Sequence, residues 1–252
     1  MRKSYRELTE EIKTDGERLK LIAELGSSDD LAYHYTLISE DWAAGGKLLL
    51  ENSFDRHGEA GIVFLLERLR AFGTASKTDA SAAAGTATDT GAYTDTAYLA
   101  AKILSQLRHR DFYAARAKEL AALLTARWEI SDIALRRKQI IALGWIGSES
   151  EINLLIDSMQ SDSDALCRAW AAAALMQLSF HGVAADVLRE KTKAAFAAAI
   201  QKEGDLNAAG IMIEAAQTLF GKKWISAAAA EAAESESIEK ARKSALRFLG
   251  KA

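Results

Sequence analysis

The chain has 252 residues, of which 49% are apolar and 27% are charged, a length and composition that allow one large hydrophobic core. Its 32 basic and 35 acidic side chains leave a net charge of −3, which excludes a general electrostatic attraction to nucleic acid or anionic membranes. Cys167 is the only cysteine, so an intrachain disulfide and a cysteine-rich zinc site are both excluded.

The absence of proline and the polar amino-terminal sequence narrow the class of protein. Proline breaks helix interiors, so a chain without it is expected to be mostly helical. The first thirteen residues, MRKSYRELTEEIK, are highly charged and lack the apolar segment of a signal peptide. No run of about 18 apolar residues occurs, so we expect no membrane span and a cytoplasmic location.

Apolar residues recur at helical spacing through the first quarter of the chain. One helical pattern is interrupted at Asp15-Gly16, where Asp15 is predicted to cap a second helix, and Gly26 ends it. The predicted helical stretches here are 4–25, 31–38, 42–51 and 55–72.

Residues 73–94, GTASKTDASAAAGTATDTGAYT, differ from the rest of the chain in composition. They are small, polar and glycine-rich, with one aromatic residue and no aliphatic side chain larger than alanine. Such a segment cannot bury enough apolar area to offset the entropy of ordering it. We therefore predict a flexible, low-complexity insertion loop over 73–94.

From Asp95 onward the helical pattern is nearly continuous. The last predicted helix carries apolar residues on one side, and the sequence leaves open whether that side seals the end of the fold or docks a partner. The predicted helices are 95–108, 111–128, 132–146, 149–160, 163–180, 183–203, 205–220, 222–233 and 235–249.

The middle of the chain contains an internal repeat. Asp132, Arg136, Leu143 and Ile146 match Asp164, Arg168, Leu175 and Leu178 at a shift of 32 residues, the size of one helix–turn–helix unit. A single pair of helices cannot cover its own apolar face, so such units stack on their neighbours. The repeat therefore predicts an all-α protein in which antiparallel helix pairs form an α-solenoid.

The repeated segment, clearest over 131–180, resembles the HEAT-repeat family. The short bacterial kind, known as phycobilisome-lyase-like HEAT repeats, is the most similar. The family's pattern is an aspartate, an arginine about one turn later and aliphatic residues ending in Leu-Gly and Ile-Gly. It is matched here by Asp132, Arg137, Leu143-Gly144 and Ile146-Gly147.

The resemblance implies a single HEAT-like domain over 1–252. It also implies that the aspartates and arginines are structural, because in the family they cap helices and bridge neighbouring repeats. The second helix of each pair would line the concave side of the array. In this chain those helices would be 149–160, 183–201 and 222–233.

No motif in the sequence predicts a particular reaction. The four histidines lie far apart and lack the spacing of metal ligands, and no phosphate-binding loop or GxSxG motif is present. Cys167 lies in an apolar helical pattern that is typical of a buried residue. We expect no catalytic residue, no cofactor and no metal, and a protein that is not an enzyme.

One basic segment, 102–138, offers an alternative. It carries nine basic and four acidic side chains with interleaved aromatic residues, and the residues most suited to contact a ligand are Arg108, Arg110, Arg116, Arg136 and Arg137. One hypothesis is a nucleic-acid interface, similar to HEAT-like DNA glycosylases with a basic concave groove. The other is a solvated helix face with no ligand.

The main functional hypothesis is a monomeric scaffold or adaptor that binds a protein or peptide on the concave face of the helical array. The alternative is the nucleic-acid-binding module on the segment 102–138. A third hypothesis, an accessory protein or lyase for a tetrapyrrole, follows only from the name of the bacterial subfamily. No residue pattern in the sequence indicates a tetrapyrrole-binding pocket.

Overall fold

The computed structural model describes residues 2–74 and 87–250, and over these ranges it contains helices and turns but no strand. The prediction of an all-α fold is confirmed. The α-helices are α1 Tyr5–Glu11, α2 Asp15–Gly26, α3 Leu31–Ala43, α4 Gly58–Thr74, α5 Ala87–Gln106, α6 Tyr113–Thr125, α7 Ile133–Ile146, α8 Ile152–Ser161, α9 Ala165–Leu178, α10 Ala185–Lys202, α11 Leu206–Leu219, α12 Ala227–Glu231 and α13 Ser235–Leu249.

The amino-terminal helices pack around a buried carboxylate. Asp41, at the end of α3, accepts hydrogen bonds from the Tyr5 hydroxyl at 2.8 Å and from the Leu48 backbone at 2.9 Å. It thereby fastens both α1 and the turn after α3, and a buried carboxylate requires such donors. The chain then enters a 3₁₀ helix, Leu50–His57, that packs against α2, α3, α4 and α5.

Three predictions in this region are wrong in detail. Thr14, and not Asp15, caps α2, through a capping box with Glu17. The predicted helices 31–38 and 42–51 are not separate: α3 continues to Ala43, and a turn follows it. Gly45 and Gly46 have positive φ in that turn, which explains why the helix stops there.

The predicted loop 73–94 is partly helical. Residues 75–86 lie outside the described residues, but α4 extends to Thr74 and α5 begins at Ala87, eight residues before the predicted start. Tyr93 accounts for the difference, because its buried hydroxyl donates to the Leu123 carbonyl at 2.6 Å. A tertiary contact therefore holds a segment whose composition is typical of a loop.

From α4 onward the helices form two layers. In the first layer α5, α7, α9 and α11 pack side by side, and in the second layer α8 packs against α10 and α4 against α6. Arg137 near the start of α7 binds Asp164 at the start of α9, while Gly144 near the end of α7 touches Ala174 near the end of α9, so these two helices are parallel. This arrangement is the predicted α-solenoid, with one hydrophobic cluster running from Leu8 to Leu249.

The starts of the first-layer helices are joined by charged side chains. Asp132, Asp164 and Asp205 cap α7, α9 and α11, each accepting from a backbone N–H three residues later. The arginine one turn into α7 and into α9 then binds the acidic residue two positions before the next cap. The pairs are Arg136 with Asp162 at 2.8 and 2.9 Å and Arg168 with Glu203 at 2.7 and 2.8 Å.

The carboxyl-terminal helices close the array differently from the prediction. Within 222–233 only α12, a helix of five residues, is formed, because Lys222–Ser226 make a turn held by the Gln217 side chain. The final helix, α13, packs against α10 and α11, and Ile238, Ala241, Ala245 and Leu249 are buried. Its apolar side is therefore covered within the chain, which answers the question that the sequence left open.

The contact between α7 and α9 predicts a sharp effect of adding one methyl group. A Cβ at Gly144 would lie 2.8 Å from both the Cα and the Cβ of Ala174, so Gly144→Ala must push the two helices apart. We expect a loss of about 1–3 kcal/mol in the free energy of unfolding, measured by chemical denaturation. In the control, Gly91→Ala in α5, no atom of the described residues other than the helix's own backbone lies within 4 Å of the new Cβ, and stability should rise by up to about 1 kcal/mol. Equal effects at the two glycines would contradict the close approach.

Candidate binding surface

Beyond its first turn, each first-layer helix is mostly buried except along one stripe. On α7 the stripe is formed by residues at i, i+3 and i+7, Lys138, Ile141 and Trp145, while the residues between them are buried. The same pattern recurs on the three neighbouring helices. The inner stripes, as we call them together, are Asp95, Tyr98 and Lys102 on α5, Lys138, Ile141 and Trp145 on α7, Leu166, Trp170, Ala173 and Gln177 on α9, and Asn207, Ile211, Glu214 and Thr218 on α11.

Aromatic rings dominate the centre of this surface. The rings of Tyr98 and Trp145 contact each other with centroids 5.2 Å apart, joining the stripes of α5 and α7. Trp170 on α9 is 37% exposed, which is unusual for so large a side chain in the middle of a packed layer. Exposed aromatic side chains on a rigid scaffold are typical of interfaces, since they bury a large area at a small entropic cost.

The charges on the inner stripes of α5 and α7 are already neutralised. Lys138 of α7 binds Asp95 of α5, and Lys102 of α5 binds Glu51 of the 3₁₀ helix at 3.2 Å. These pairs flank the Tyr98–Trp145 contact along the helix axes. The centre of the surface is therefore apolar and without an uncompensated charge.

Two observations favour the first layer as the inner side of the array. The Arg108 side chain, just after α5, donates to the carbonyl of Phe180, just after α9, at 2.8 Å. These helices are separated by α7, and in a flat layer they would stand about 16–20 Å apart. Contacts within the first layer are also more extensive than contacts within the second. Both observations favour the first layer over the second helices of the pairs as the concave side, which the resemblance had assigned to the second helices.

The structure gives Arg136 and Arg137, two of the predicted ligand-contact residues, carboxylate partners within the protein. Arg136 binds Asp162 through two hydrogen bonds and also donates to the Ile130 carbonyl, and Arg137 binds Asp164 at 2.9 and 3.0 Å. Bidentate pairs of this kind fix both partners. These two arginines bridge neighbouring repeats, as the resemblance implied.

The other three predicted ligand-contact residues lie near the start of α6, whereas Arg136 and Arg137 come after its end. Arg116, in the first turn of α6, binds Glu59 and Glu119, whereas Arg108 and Arg110 lie in the turn before it, and Arg110 is exposed. Because α6 has 13 residues and is about 20 Å long, the structure does not bring the five arginines together. The positive charge of the segment 102–138 is thus divided, and part of it is paired with carboxylates.

The titratable groups suited to chemistry are buried in structural contacts. His34 is fully buried and donates from Nε2 to the Leu50 carbonyl at 3.0 Å, so its Nδ1 accepts from His57 Nε2 at 2.8 Å. Burial lowers the pKa of His34 to about 4. Burial also raises the pKa of the Cys167 thiol to about 11, which disfavours the reactive thiolate. Among the residues that the structure describes, no group of three or more histidine, cysteine or acidic side chains could hold a metal ion.

Sequence reasoning missed the aromatic residues of the inner stripes. Trp145 and Trp170 look like core residues because they lie in helices rich in alanine and leucine. The available signal was their position, since Trp145 and Ile141 lie on the opposite side of α7 from the buried Leu143. Which side of a helix meets the next repeat and which meets solvent depends on stacking that no single helix encodes.

Comparison with known proteins adds one finding. Residues 86–176 match the family model for HEAT repeats, a range that covers α5 to α8 and nearly all of α9. Searches of curated proteins and of solved structures gave no match. In the described parts of the chain, no helix is both long and apolar enough to cross a bilayer.

Proposed function

Because residues 86–176 of this chain belong to the HEAT-repeat family, and because α11 continues the same layer, we propose that the protein is a non-catalytic scaffold that binds a protein or peptide on its inner stripes. HEAT repeats commonly serve protein interaction. The observation that carries the proposal is the partly exposed aromatic surface formed by Tyr98, Trp145 and Trp170. The other large apolar residues of the inner stripes, Ile141, Leu166 and Ile211, extend this surface along the array.

The paired charges favour a polypeptide partner over nucleic acid. Nucleic acid binding requires basic side chains that are free to displace counterions from phosphates. On the inner stripes, Lys102 is bound to Glu51 and Lys138 to Asp95. Nearby but outside the stripes, Arg136 and Arg137 are bound to aspartates. An apolar surface with internally satisfied charges suits a polypeptide that contributes apolar side chains.

Site-specific photo-cross-linking tests both the kind of partner and the layer it contacts. A photoreactive amino acid at Gln177, on the inner stripe of α9, should yield covalent adducts with a polypeptide in lysate from the source cells. The same group at Asp157, an exposed residue of α8 in the second layer, should yield few adducts. The readout is the adduct mass on denaturing gels, before and after protease or nuclease treatment.

Two results would contradict the proposal. Strong adducts from Asp157 and none from Gln177 would place the partner on the second layer. Adducts that disappear with nuclease and with rising salt would identify nucleic acid as the partner. Circular dichroism of both labelled proteins verifies that the substitutions leave the fold intact.

A further inference from the structure

The inner stripes run across the helices, and their spacing sets the repeat of a bound chain. Neighbouring helices in a packed layer stand about 8–10 Å apart. A peptide in the extended polyproline II conformation advances about 3.1 Å per residue with three residues per turn, so side chains three residues apart lie on the same side and are spaced like the stripes. A peptide that crosses all four stripes, from α5 to α11, therefore needs about ten residues.

The first three stripes select apolar side chains. Tyr98, Trp145, Ile141 and Trp170 offer partly exposed apolar surface, while the neighbouring cations Lys102 and Lys138 are bound to acidic residues. A charged side chain of a partner placed here would lose hydration and gain no counter-charge, which is costly. An apolar side chain would bury surface and displace only water.

The stripe on α11, unlike the first three stripes, carries a charge that no neighbouring side chain neutralises in the described structure. The carboxylate of Glu214 is partly exposed, and the described residues provide it with no hydrogen bond or ion pair. It follows Ile211 by one turn of α11, so both face the same side. An unpaired carboxylate at this end of an otherwise neutral surface favours a basic residue of the partner.

The side-chain amide of Gln177, on α9, favours an extended peptide over a helical one. The side chain of Gln177 is partly exposed and makes no hydrogen bond in the described structure, so it can pair with a peptide N–H and C=O. An extended peptide presents unpaired backbone groups that need such partners, whereas a helix satisfies most of its own.

From these contacts we propose that the inner stripes bind an extended peptide in the polyproline II conformation, with apolar residues at every third position over α5, α7 and α9 and a lysine or arginine over Glu214. The proposal rests on the proposed function and specifies its partner. The bound segment has the chemistry of an unstructured, apolar-basic tail or linker of another protein.

An array of ten-residue peptides tests the proposal directly. The positions that fall over the first three stripes are varied between apolar, polar and acidic residues, and the position over Glu214 is varied between lysine, arginine, glutamine and glutamate. We expect the tightest binding from peptides with apolar residues three apart and a basic end, measured by fluorescence anisotropy of the selected peptides. Glu214→Gln should remove the preference of lysine over glutamine, which amounts to about two- to fivefold. Glu190→Gln, an exposed carboxylate of α10, is the control and should leave that preference unchanged.

The outcomes separate this inference from the function on which it rests. Trp170→Ala should weaken every selected peptide by about thirtyfold or more, whereas Leu19→Ala, an exposed leucine far along the chain, should change nothing. Binding that requires Trp170 but shows no basic preference, or that selects helical spacing of apolar residues, overturns the inference and leaves the proposed function in place. No selected peptide at all, or binding indifferent to Trp170→Ala, overturns both.

Discussion

Leu143→Ala should lower the free energy of unfolding by about 2–5 kcal/mol. Leu143 is fully buried in α7, where it lies between the two layers, and truncation removes apolar contacts and leaves a cavity that the packed helices cannot fill. Urea denaturation followed by circular dichroism measures the loss. A repeat array shares its core between neighbours, so the effect should extend beyond one helix pair.

Two further variants complete this experiment. Leu175→Ala changes the equivalent residue of α9, 32 positions later and also fully buried, and should cost a similar amount. Leu19→Ala, which alters a residue 57% exposed, should change stability by less than about 0.5 kcal/mol. If Leu143→Ala were as mild as Leu19→Ala, the shared core between α7 and its neighbours would be refuted.

The elements with complete local signals were the ones that the sequence could predict. Helix α7 was predicted over 132–146 and occupies Ile133–Ile146, because Asp132 caps its start and Gly147 follows its end. Helix α13 occupies Ser235–Leu249, as predicted, because its apolar residues recur at regular helical spacing. In both cases a local cap or a periodic pattern agrees with the tertiary packing.

The sequence pattern identifies only the arginine of each ion pair that joins the repeats, and not its acidic partner. The arginines recur at one shift of 32 residues, from Arg136 to Arg168. Their partners, Asp162 and Glu203, are 41 residues apart, because α10 has 18 residues and α8 only 10. No single shift aligns both members of the pairs, so the contacts appear only when the helices are stacked.

The surface that we propose as functional was the least predictable part. The sequence favoured the arginines of 102–138 because they are clustered along the chain, but α6 separates them in space. The inner stripes combine residues from four helices spread over more than 100 residues. Their exposure follows from how the helices stack, which depends on how closely residues such as Gly144 and Ala174 let the first-layer helices approach.

Breaking the ion pair between Arg168 and Glu203 should have an effect as large as that of a core truncation. Glu203 is 5% exposed, and its two oxygens accept from the Arg168 guanidinium, while one of them also accepts from the Asp205 backbone. Glu203→Gln leaves the partly buried guanidinium without its counter-charge, and we expect a loss of about 3–5 kcal/mol at neutral pH. Asp186→Asn, at an exposed pair with Arg189, serves as the control and should cost less than about 1 kcal/mol.

The pH dependence of this difference gives a second, independent measurement. Burial alone would raise the pKa of Glu203, but hydrogen bonds from Arg168 and from backbone N–H groups outweigh it and hold the pKa below its ordinary value of 4.5. A carboxylate with a depressed pKa contributes stability that is fully present above its unfolded pKa and is lost as the pH falls through its folded pKa. The stability gap between the wild type and Glu203→Gln should therefore be constant from about pH 6 to 8 and shrink below about pH 4.5. A gap that stays the same in acid would mean that Glu203 stabilises the contact with Arg168 through its shape and not through its charge.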